Sequence, residues 1–316
     1  MASSTQTVVT VTLNPAIDQT VSIPNFAAGA VNRVESARTE PGGKGVNVAS
    51  FLADLGHASL ATGLLGSDNA EPFQTLFENK GITDRFVRVA GATRVNVKIV
   101  DAARDEVTDI NFPGLDAGGK AYEELLAQVE ALAREHCWFV CAGSVPGGLP
   151  SGVYRELLEH LRGADVRVVL DTSGAPLREA IAAAPFAIKP NIDELQELVG
   201  QTLDSEAAIL RAARGLLAGS IGCVVVSMGE RGAYFVEPQS CLHAQAGAPC
   251  VLSTVGAGDA MVAGWVAGHL RGLDPEGCAR LATACSVGTL GQPGLRLPPQ
   301  QEIEQIGEGV TVRTVV

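Results

Sequence analysis

The 316-residue sequence contains no apolar run as long as the ~18 residues that a membrane-spanning helix needs. Its first six residues are polar and lack the basic segment that opens a secretory signal peptide. Charged residues make up only 18% of the chain against 46% hydrophobic residues, a balance that argues against a disordered chain. The sequence therefore predicts a folded, cytoplasmic protein.

The cysteines and histidines form no metal-binding pattern. The seven cysteines include no CxxC pair, and the five histidines are scattered, so a zinc site is not expected. Cys137, Cys141 and Cys223 lie within apolar runs, where we expect small buried side chains in a reducing compartment. A net charge of −12 argues against nucleic acid as a partner, although a few local cations would still bind a small anion.

Two common nucleotide-binding motifs are also missing. Segment 41–49, PGGKGVNVA, is glycine-rich and opens a predicted helix. It has neither the GxxxxGK[ST] spacing of a Walker A loop nor the GxGxxG pattern of a dinucleotide site. Gly42 and Gly43 would let a substrate lie on the backbone, Lys44 suits a phosphate, and Asn47 lies one turn further on. The alternative is an ordinary loop with a solvated lysine.

Apolar runs alternate with helical patterns along the chain. Several runs are continuous, which is typical of parallel strands buried on both faces. This order predicts an α/β fold, an open and mostly parallel sheet flanked by helices on both sides. The predicted strands are residues 7–13, 60–65, 138–142, 167–171, 186–189 and 223–227, and the predicted helices include 46–55, 122–135, 152–161 and 207–217, with a helical C-terminal part after Asp259.

Two stretches interrupt this rhythm, at about 14–40 and 87–113. Both carry alternating β-like patterns without helices, as in TRVNVKIV at 93–100. Each leaves the main sheet and returns to it, so the two stretches are expected to pair as a small sheet. We expect that sheet to form a lid over the site edge within a single domain of residues 1–316.

A glycine-punctuated turn joins a β-like run that ends at Thr254 to an apolar helix predicted to start at Asp259. Gly256, Ala257 and Gly258 would present unpaired backbone amides there, and the helix dipole adds positive charge. Asp259 beside such an anion hole would accept a proton from a hydroxyl that attacks a phosphoryl group. The alternative is that Asp259 only caps the helix.

Polar residues also follow the first strand and line a later one. Asp18 follows the first strand, at the edge where parallel sheets bind ligands, so it would accept hydrogen bonds from a polyol or else stabilise a turn. Arg94, Asn96 and Lys98 share one strand face, which suits a phosphate monoester or else forms an exposed polar surface.

Two short segments follow later strands. Segment 189–195, KPNIDEL, closes a strand and begins a helix, and Glu194 within it would hold Mg²⁺ through water. Segment 227–233, SMGERGA, follows another strand and is similar to a turn that contacts a nucleotide. Each segment is a weak signal alone, and their order along the chain is the stronger one.

The order of these motifs resembles that of the ribokinase/PfkB family of sugar kinases, from about residue 7 to residue 300. GGKGVN and STVGAGD correspond to the two signature regions of the family, KPNIDEL resembles its NxxE metal motif, and SMGERGA resembles its nucleotide loop. Within the family, TLNPAID near the start and TRVNVKI after the predicted lid crossing are similar to bacterial members that phosphorylate fructose 1-phosphate.

The resemblance implies ATP-dependent phosphorylation of fructose 1-phosphate at its C6 hydroxyl. Asp259 would be the base, the amides of Gly256, Ala257 and Gly258 would stabilise the transferring group, and Mg²⁺ would lie near Glu194. A monovalent cation is an additional expectation, and the run GQPGL at 291–295, within the adenine-side region 286–295, departs from the family pattern. The implied substrate-binding residues are Asp18, Gly42, Gly43, Lys44, Asn47, Arg94, Asn96, Lys98, Ser144 and Asp259, and the implied nucleotide-binding residues are Lys189, Asn191, Ser227, Gly229, Arg231, Gly232, Thr254, Gly256 and Gly258.

Two alternatives remain open. The first is the same chemistry on tagatose 6-phosphate or fructose 6-phosphate, although relatives that act on fructose 6-phosphate tend to have glycine where Lys44 stands. The second is a catalytically inactive sugar-phosphate-binding regulator, against which the intact Gly256, Gly258, Asp259 and Glu194 argue. Exposed edges of a small sheet, together with the resemblance, favour a homodimer formed through the lid.

Overall fold

The structure contains two β-sheets. The computed structural model describes residues 6–219, 221–248 and 250–315, so most of the segment on which the signal-peptide prediction rests lies outside the described residues. The strands are β1 (Val8–Thr12), β2 (Ala16–Ser22), β3 (Ser36–Gly42), β4 (Ser59–Gly66), β5 (Thr83–Val89), β6 (Val95–Asp101), β7 (Glu106–Ile110), β8 (Trp138–Ala142), β9 (Arg167–Asp171), β10 (Ala187–Ile188), β11 (Cys223–Ser227), β12 (Ala233–Val236), β13 (Cys241–Gln245) and β14 (Thr311–Thr314).

The larger sheet has ten strands in the order β14-β13-β12-β11-β10-β9-β8-β1-β4-β5. The seven strands from β11 to β5 are parallel, and β12, β13 and β14 extend the sheet in antiparallel fashion. The central strands β1 (VVTVT) and β8 (WFVCA) are buried along their whole length. Continuous β-branched and apolar runs suit such strands because helices cover both faces.

Ten helices are present in the described residues. Helices α3 to α7 pack on one face of the large sheet through residues such as Leu125, Leu157 and Leu195. Helices α1, α8, α9 and α10 pack on the other face through residues such as Phe51 and Trp265. None of them combines the length and apolar character needed to cross a bilayer. The helices are α1 (Lys44–Asp54), α2 (Glu71–Lys80), α3 (Gly118–Leu132), α4 (Val153–Leu161), α5 (Gly174–Ala180), α6 (Ile192–Val199), α7 (Glu206–Leu217), α8 (Ala257–Leu270), α9 (Pro275–Leu290) and α10 (Gln300–Glu308).

The smaller sheet has four strands in the order β3-β2-β6-β7. The register pairs Asp18 with Glu40 on one side and with Asn96 on the other, and Lys98 with Asp109, so these polar residues share one face. The opposite face carries Val21, Ile99 and other apolar side chains that form a small core of their own. The sheet thus has one polar and one apolar face. The predicted fold class is confirmed, including the separate small sheet.

Some boundaries differ from the sequence prediction. Residues 250–254 form no strand, because no neighbouring strand lies beside them and the Leu252 N–H donates instead to the Leu290 carbonyl at the end of α9 (2.8 Å). Helix α8 begins at Ala257 rather than at Asp259, and the C-terminal part ends in a strand, β14. Residues 87–89 belong to β5 of the large sheet, so the second excursion begins after Val89.

Candidate active site

The predicted site residues gather where parallel strands of the large sheet end. Asp171 is the last residue of β9, Lys189 follows β10 directly, and Ser144 follows β8 by one residue. Helix α1 begins at this edge, since its first residue, Lys44, donates a hydrogen bond to Asp171. Helix α8 begins beside it, since Asp259 in its first turn accepts a hydrogen bond from Asn47 of α1. In open α/β sheets the crevice outside the carboxyl ends of the strands is where ligands bind.

Asp259 lies in the first turn of α8 with only 6% of its surface exposed. Its Oδ2 accepts a hydrogen bond from the Asn47 side-chain amide at 2.7 Å, which joins the first turns of α8 and α1. Burial, followed by the nearby negative charge of Asp171, raises the pKa of Asp259 to about 6. Lys44, Asn47 and Lys189 oppose that rise. A carboxylate with such a pKa is a competent proton acceptor near neutral pH.

The turn before Asp259 exposes the start of α8. Gly256 has φ +80°, a left-handed conformation that favours glycine, and the Leu295 side chain packs directly against its Cα. The Ala257 N–H lies 3.4 Å from the Thr254 carbonyl, a long hydrogen bond, and Thr254 itself is exposed. The first amides of a helix have no acceptor inside the helix, so this turn can receive an anion.

A buried ion-pair cluster lies beside Asp259. The Asp171 carboxylate is 0% exposed, and its Oδ1 accepts from the Lys44 ammonium at 2.8 Å while its Oδ2 lies 3.3 Å from the Lys189 ammonium. Burial alone would raise the pKa of Asp171, but the two lysines outweigh it and hold the pKa below its usual value. Burial opposes the charge of Lys44, but Asp171 and Asp259 outweigh burial and raise the pKa of Lys44.

Lys189 connects this cluster to the start of α8. Its ammonium is 3.1 Å from the position that a Cβ on Gly258 would occupy, and its side chain is only 6% exposed. The ammonium therefore adds a fixed positive charge to the amides of the anion-binding turn.

The sugar-side candidates lie between the small sheet and α1. Asp18 belongs to β2 and not to a loop as the sequence suggested, because the strand begins at Ala16 immediately after Pro15. Its Oδ1 accepts from the Asn96 amide at 2.9 Å, and its carboxylate lies against the Cα of Gly42. Burial raises the pKa of Asp18, although Asn96, Arg94 and Lys98 partly offset the effect.

Gly42 and Gly43 lead from the small sheet into α1. Gly42 is the last residue of β3, and Gly43 is the N-cap residue of α1 with φ +114°. Both glycines therefore lie between Asp18 and Lys44, where backbone and side-chain groups would face the same ligand.

Arg94 immediately precedes β6 and has well-defined partners. Its guanidinium donates to the carbonyls of Asn14 (3.0 Å), Pro15 (3.3 Å) and Phe112 (2.8 Å). A guanidinium has five N–H donors, so two remain for a ligand. Lys98, further along β6, pairs with Asp109 of β7. Neither cation belongs to the cluster around Asp171.

Ser144 is tied to the end of β1. Its hydroxyl accepts from the Asn14 amide at 3.0 Å, and the same amide donates to the Pro113 carbonyl at 3.1 Å. Asn14 therefore joins the end of β1 to the second residue after β8 and to the segment that follows β7.

Glu194 serves as a cap of α6 in this structure. Asn191 is the N-cap residue, its side chain accepts from the Glu194 N–H, and Glu194 Oε2 accepts from the Asn191 N–H (both 2.8 Å). No cluster of three or more acidic, histidine or cysteine ligands occurs in the described residues. A single carboxylate such as that of Glu194 fits Mg²⁺, because Mg²⁺ prefers oxygen ligands, keeps several of its waters and is bound by one or two carboxylates together with substrate phosphates.

The predicted nucleotide turn follows β11. Ser227 ends that strand, its N–H donates to the Pro190 carbonyl, and a single 3₁₀ turn covers Gly229–Arg231 before Gly232 at φ +81°. The Arg231 side chain is exposed, and its carbonyl lies 2.8 Å from His243 Nε2. The turn lies at the same sheet edge as Asn191, which forms a β-bridge to Ser227.

The sequence singled out residues 291–295, GQPGL, only as a departure from the family pattern. In the structure they lie between the small sheet and the start of α8, because the Glu40 carboxylate of β3 lies against Gly294 and Leu295 packs on Gly256. The sequence also left out Asp171 and Asn14. An aspartate that closes the apolar run RVVLD was the available signal, since a buried carboxylate requires a partner.

Comparisons with known proteins identify the family and agree with the fold. Residues 8–302 match the model of the pfkB family carbohydrate kinases. The chain is 47% identical over 309 residues to a 1-phosphofructokinase of Rhodobacter capsulatus, with 98% of each chain covered. It is 44% identical to a 1-phosphofructokinase of Xanthomonas campestris pv. campestris, with 97% of this chain and 98% of that protein covered. The tetrameric inhibited form of phosphofructokinase-2 from Escherichia coli superposes with a TM-score of 0.88 at 26% identity, covering 96% and 98%.

The fold and the site together define a sugar kinase with a ribokinase-like architecture. The chain belongs to the pfkB family of carbohydrate kinases.

Proposed function

We propose that this protein is a 1-phosphofructokinase that transfers the γ-phosphoryl group of ATP to the C6 hydroxyl of fructose 1-phosphate. The observation that carries the proposal is the buried Asp259, whose pKa is raised to about 6, at the start of α8 and within reach of Asn47. The full-length similarity to 1-phosphofructokinases supports the same substrate. The products are fructose 1,6-bisphosphate and ADP.

Asp259 accepts the proton of the C6 hydroxyl as that oxygen attacks the γ-phosphorus. The Asn47 amide donates to Oδ2 and holds the carboxylate in place, so the other oxygen faces the hydroxyl. General base catalysis of this kind contributes about 10²–10⁴-fold to the rate.

The start of α8 stabilises the transferring group. The amides of Gly256, Ala257 and Gly258, with the Lys189 ammonium beside them, provide positive charge where negative charge develops. The remaining contacts to the nucleotide come from the two segments after β10 and β11 and from the turn before α8. These residues are Asn191, Ser227, Gly229, Arg231, Gly232 and Thr254. Glu194 would hold Mg²⁺, which would supply positive charge to neutralise the triphosphate, and we propose a monovalent cation as a further requirement on this side.

The sugar phosphate lies on the other side of Asp259. Lys44 and the two free N–H donors of Arg94 bind the C1 phosphate, with Lys98 at the edge, while Asp18, Asn47, Asn96 and Ser144 bind hydroxyls above Gly42 and Gly43. The phosphate contacts orient C6 toward Asp259, so remote binding energy lowers the barrier.

The small sheet serves as a lid within one domain of residues 1–316, and a homodimer forms through it. Its apolar face and its edge carry exposed Val95 (38%), Ile110 (44%) and Phe112 (49%). The tetrameric assembly named for the Escherichia coli relative supports self-association. Sedimentation of the parent and of an Ile110→Asp variant tests it, with a monomer expected for the variant and a parent monomer counting against the proposal.

A coupled assay of ADP release tests the function. The panel is fructose 1-phosphate, fructose 6-phosphate, tagatose 6-phosphate and fructose, each with ATP and Mg²⁺ and with or without K⁺. We expect the highest kcat/KM with fructose 1-phosphate. A preference for a 6-phosphate would reassign the substrate, and binding of phosphosugars without ADP release would make the protein an inactive regulator.

A further inference from the structure

Asp171 occupies a position that the proposed reaction does not yet use. It is the last residue of β9, its side chain is 0% exposed, and its two oxygens face two different lysines. Lys44 is the first residue of α1, on the proposed sugar side, and Lys189 directly follows β10, beside the α8 turn. The Asp171 carboxylate therefore pairs with one lysine on the proposed sugar side of the site and with one on the proposed nucleotide side.

Two ammonium groups at 2.8 Å and 3.3 Å from one carboxylate would repel each other strongly without it. Lys189 is only 6% exposed and has little room to move, whereas Lys44 is 36% exposed and could turn toward solvent. Removing the charge of Asp171 would therefore displace Lys44 from the sugar side and leave Lys189 uncompensated next to Gly258.

The charges also balance across the reaction. Asp171, Asp259, Lys44 and Lys189 carry no net charge when both carboxylates are ionised, and one positive charge once Asp259 has accepted the substrate proton. That positive charge arises next to the phosphoryl group at the moment when negative charge develops on it. The negative charge of Asp171 also raises the pKa of Asp259.

We infer that Asp171 is a positioning residue of this kinase. It holds the ammonium groups of Lys44 and Lys189 in fixed positions on the two sides of the site, and it keeps Asp259 basic enough to accept the proton. It touches neither substrate, and it acts only through these three side chains. The inference rests on the proposed function.

The test compares Asp171→Asn with Lys44→Met. Asp171→Asn should lower kcat by at least tenfold and raise the KM for both ATP and fructose 1-phosphate. It should also move the acid limb of the kcat profile to lower pH, because Asp171 raises the pKa of Asp259 by more than Lys44 lowers it. Lys44→Met removes a cation that lowers the pKa of Asp259, so its acid limb should move up. A merely structural role of Asp171 would leave the acid limb of Asp171→Asn in place.

The matched control is Asp54→Asn. Asp54 also holds a lysine, with 2.7 Å between its Oδ1 and Lys80 Nζ, but at the far end of α1, so its removal should leave the pH profile unchanged. If Asp171→Asn does not fold, Asp171→Glu takes its place: it keeps the charge but displaces both ammonium groups, so the KM values for both substrates should rise, and unchanged KM values overturn the inference.

The proposed function and this inference can fail separately. The titration of the Asp259 carboxyl, followed by ¹³C NMR in the unliganded protein, reports its pKa without any turnover. A parent that is inactive on every phosphosugar refutes the function, whereas an active parent with the same Asp259 pKa as Asp171→Asn refutes the positioning role.

Discussion

Two regions of this molecule use the same residue types in opposite surroundings. Around Asp171, two buried carboxylates and the buried Lys189 lie between strand ends and helix starts, together with Lys44, whose side chain is 36% exposed. On the polar face of the small sheet, Arg38 pairs with Glu40 and Lys98 pairs with Asp109, and all four side chains are partly exposed. Burial of both carboxylates and of Lys189 is the main physical difference between the two groups.

This difference in burial suits the two groups of charged residues to different tasks. Buried charges interact strongly and cannot be rearranged cheaply, so they suit the groups that move a proton and hold a phosphoryl group. Exposed ion pairs contribute about 0–1 kcal/mol and exchange partners readily, so they suit a surface that must meet an incoming phosphosugar. Four predictions test whether the division holds.

The largest effect is expected on the buried side. Asp259→Asn keeps the shape and an acceptor for Asn47 but removes the base, so kcat should fall roughly 10²–10⁴-fold with phosphosugar affinity largely kept. Because burial and Asp171 disfavour the ionised carboxylate, thermal stability at pH 8 should equal or exceed that of the parent. Turnover within tenfold of the parent would exclude Asp259 as the base.

Arg94 lies between the two regions and should show the next largest effect. Arg94→Ala should lower kcat/KM for fructose 1-phosphate by roughly 10²-fold, as the loss of a charge-assisted partner implies, with the KM for ATP hardly changed. The preference over unphosphorylated fructose should shrink as well.

Arg94→Lys is the matched variant, since it keeps the charge but not the fork that joins three carbonyls. A loss equal to that of Arg94→Ala would assign Arg94 to holding the lid strand. Weaker ATP binding with unchanged phosphosugar selectivity would refute its place on the sugar side.

The pH profile should report the buried region alone. Asp259 must be ionised to accept a proton, and its pKa is raised to about 6, so kcat should rise about tenfold per unit below pH 6 and then level off. Steady-state rates at saturating substrates measure this limb. A plateau that continues to pH 4.5 would mean that the carboxyl titrates at its ordinary value.

The smallest effect is expected at Glu194. Glu194→Gln should raise the Mg²⁺ requirement several-fold with little change in sugar affinity, because an amide supports a hydrated cation less well. Glutamine can replace glutamate in the capping box, so the stability of the protein should be kept. Glu194→Ala should lose both properties, and an unchanged Mg²⁺ titration in Glu194→Gln would leave this residue as a cap only.

The sequence predicted the parallel core because its strands are continuous apolar runs, and residues 138–142, 167–171 and 223–227 match β8, β9 and β11 in the structure. It missed the antiparallel strands β13 and β14, whose mixed sequences CLHAQ and TVRT carry little local signal. The VLST run before the glycine turn was wrongly predicted as a strand, because β propensity does not supply a neighbouring strand.

Candidate residues could be named from motifs, but their partners could not. Nothing local to Lys44 or Lys189 indicates that both meet the carboxylate of Asp171, which is distant from each along the chain. Likewise the motif around Glu194 does not reveal that its carboxylate caps α6. Such pairings arise from the order of the strands in the sheet, which brings β9, β10 and α1 together.

The strip of residues 291–295 has a thermodynamic consequence. Because Glu40 of β3 lies against Gly294 and Leu295 packs on Gly256, a shift of the small sheet acts through this strip on the start of α8, where we propose that the nucleotide binds. If the binding of one substrate moves this strip, the binding affinity for the other substrate changes, and thermodynamic linkage makes the change equal in both directions. Shortening the strip would therefore uncouple the affinities of the two substrates while leaving each binding surface in place.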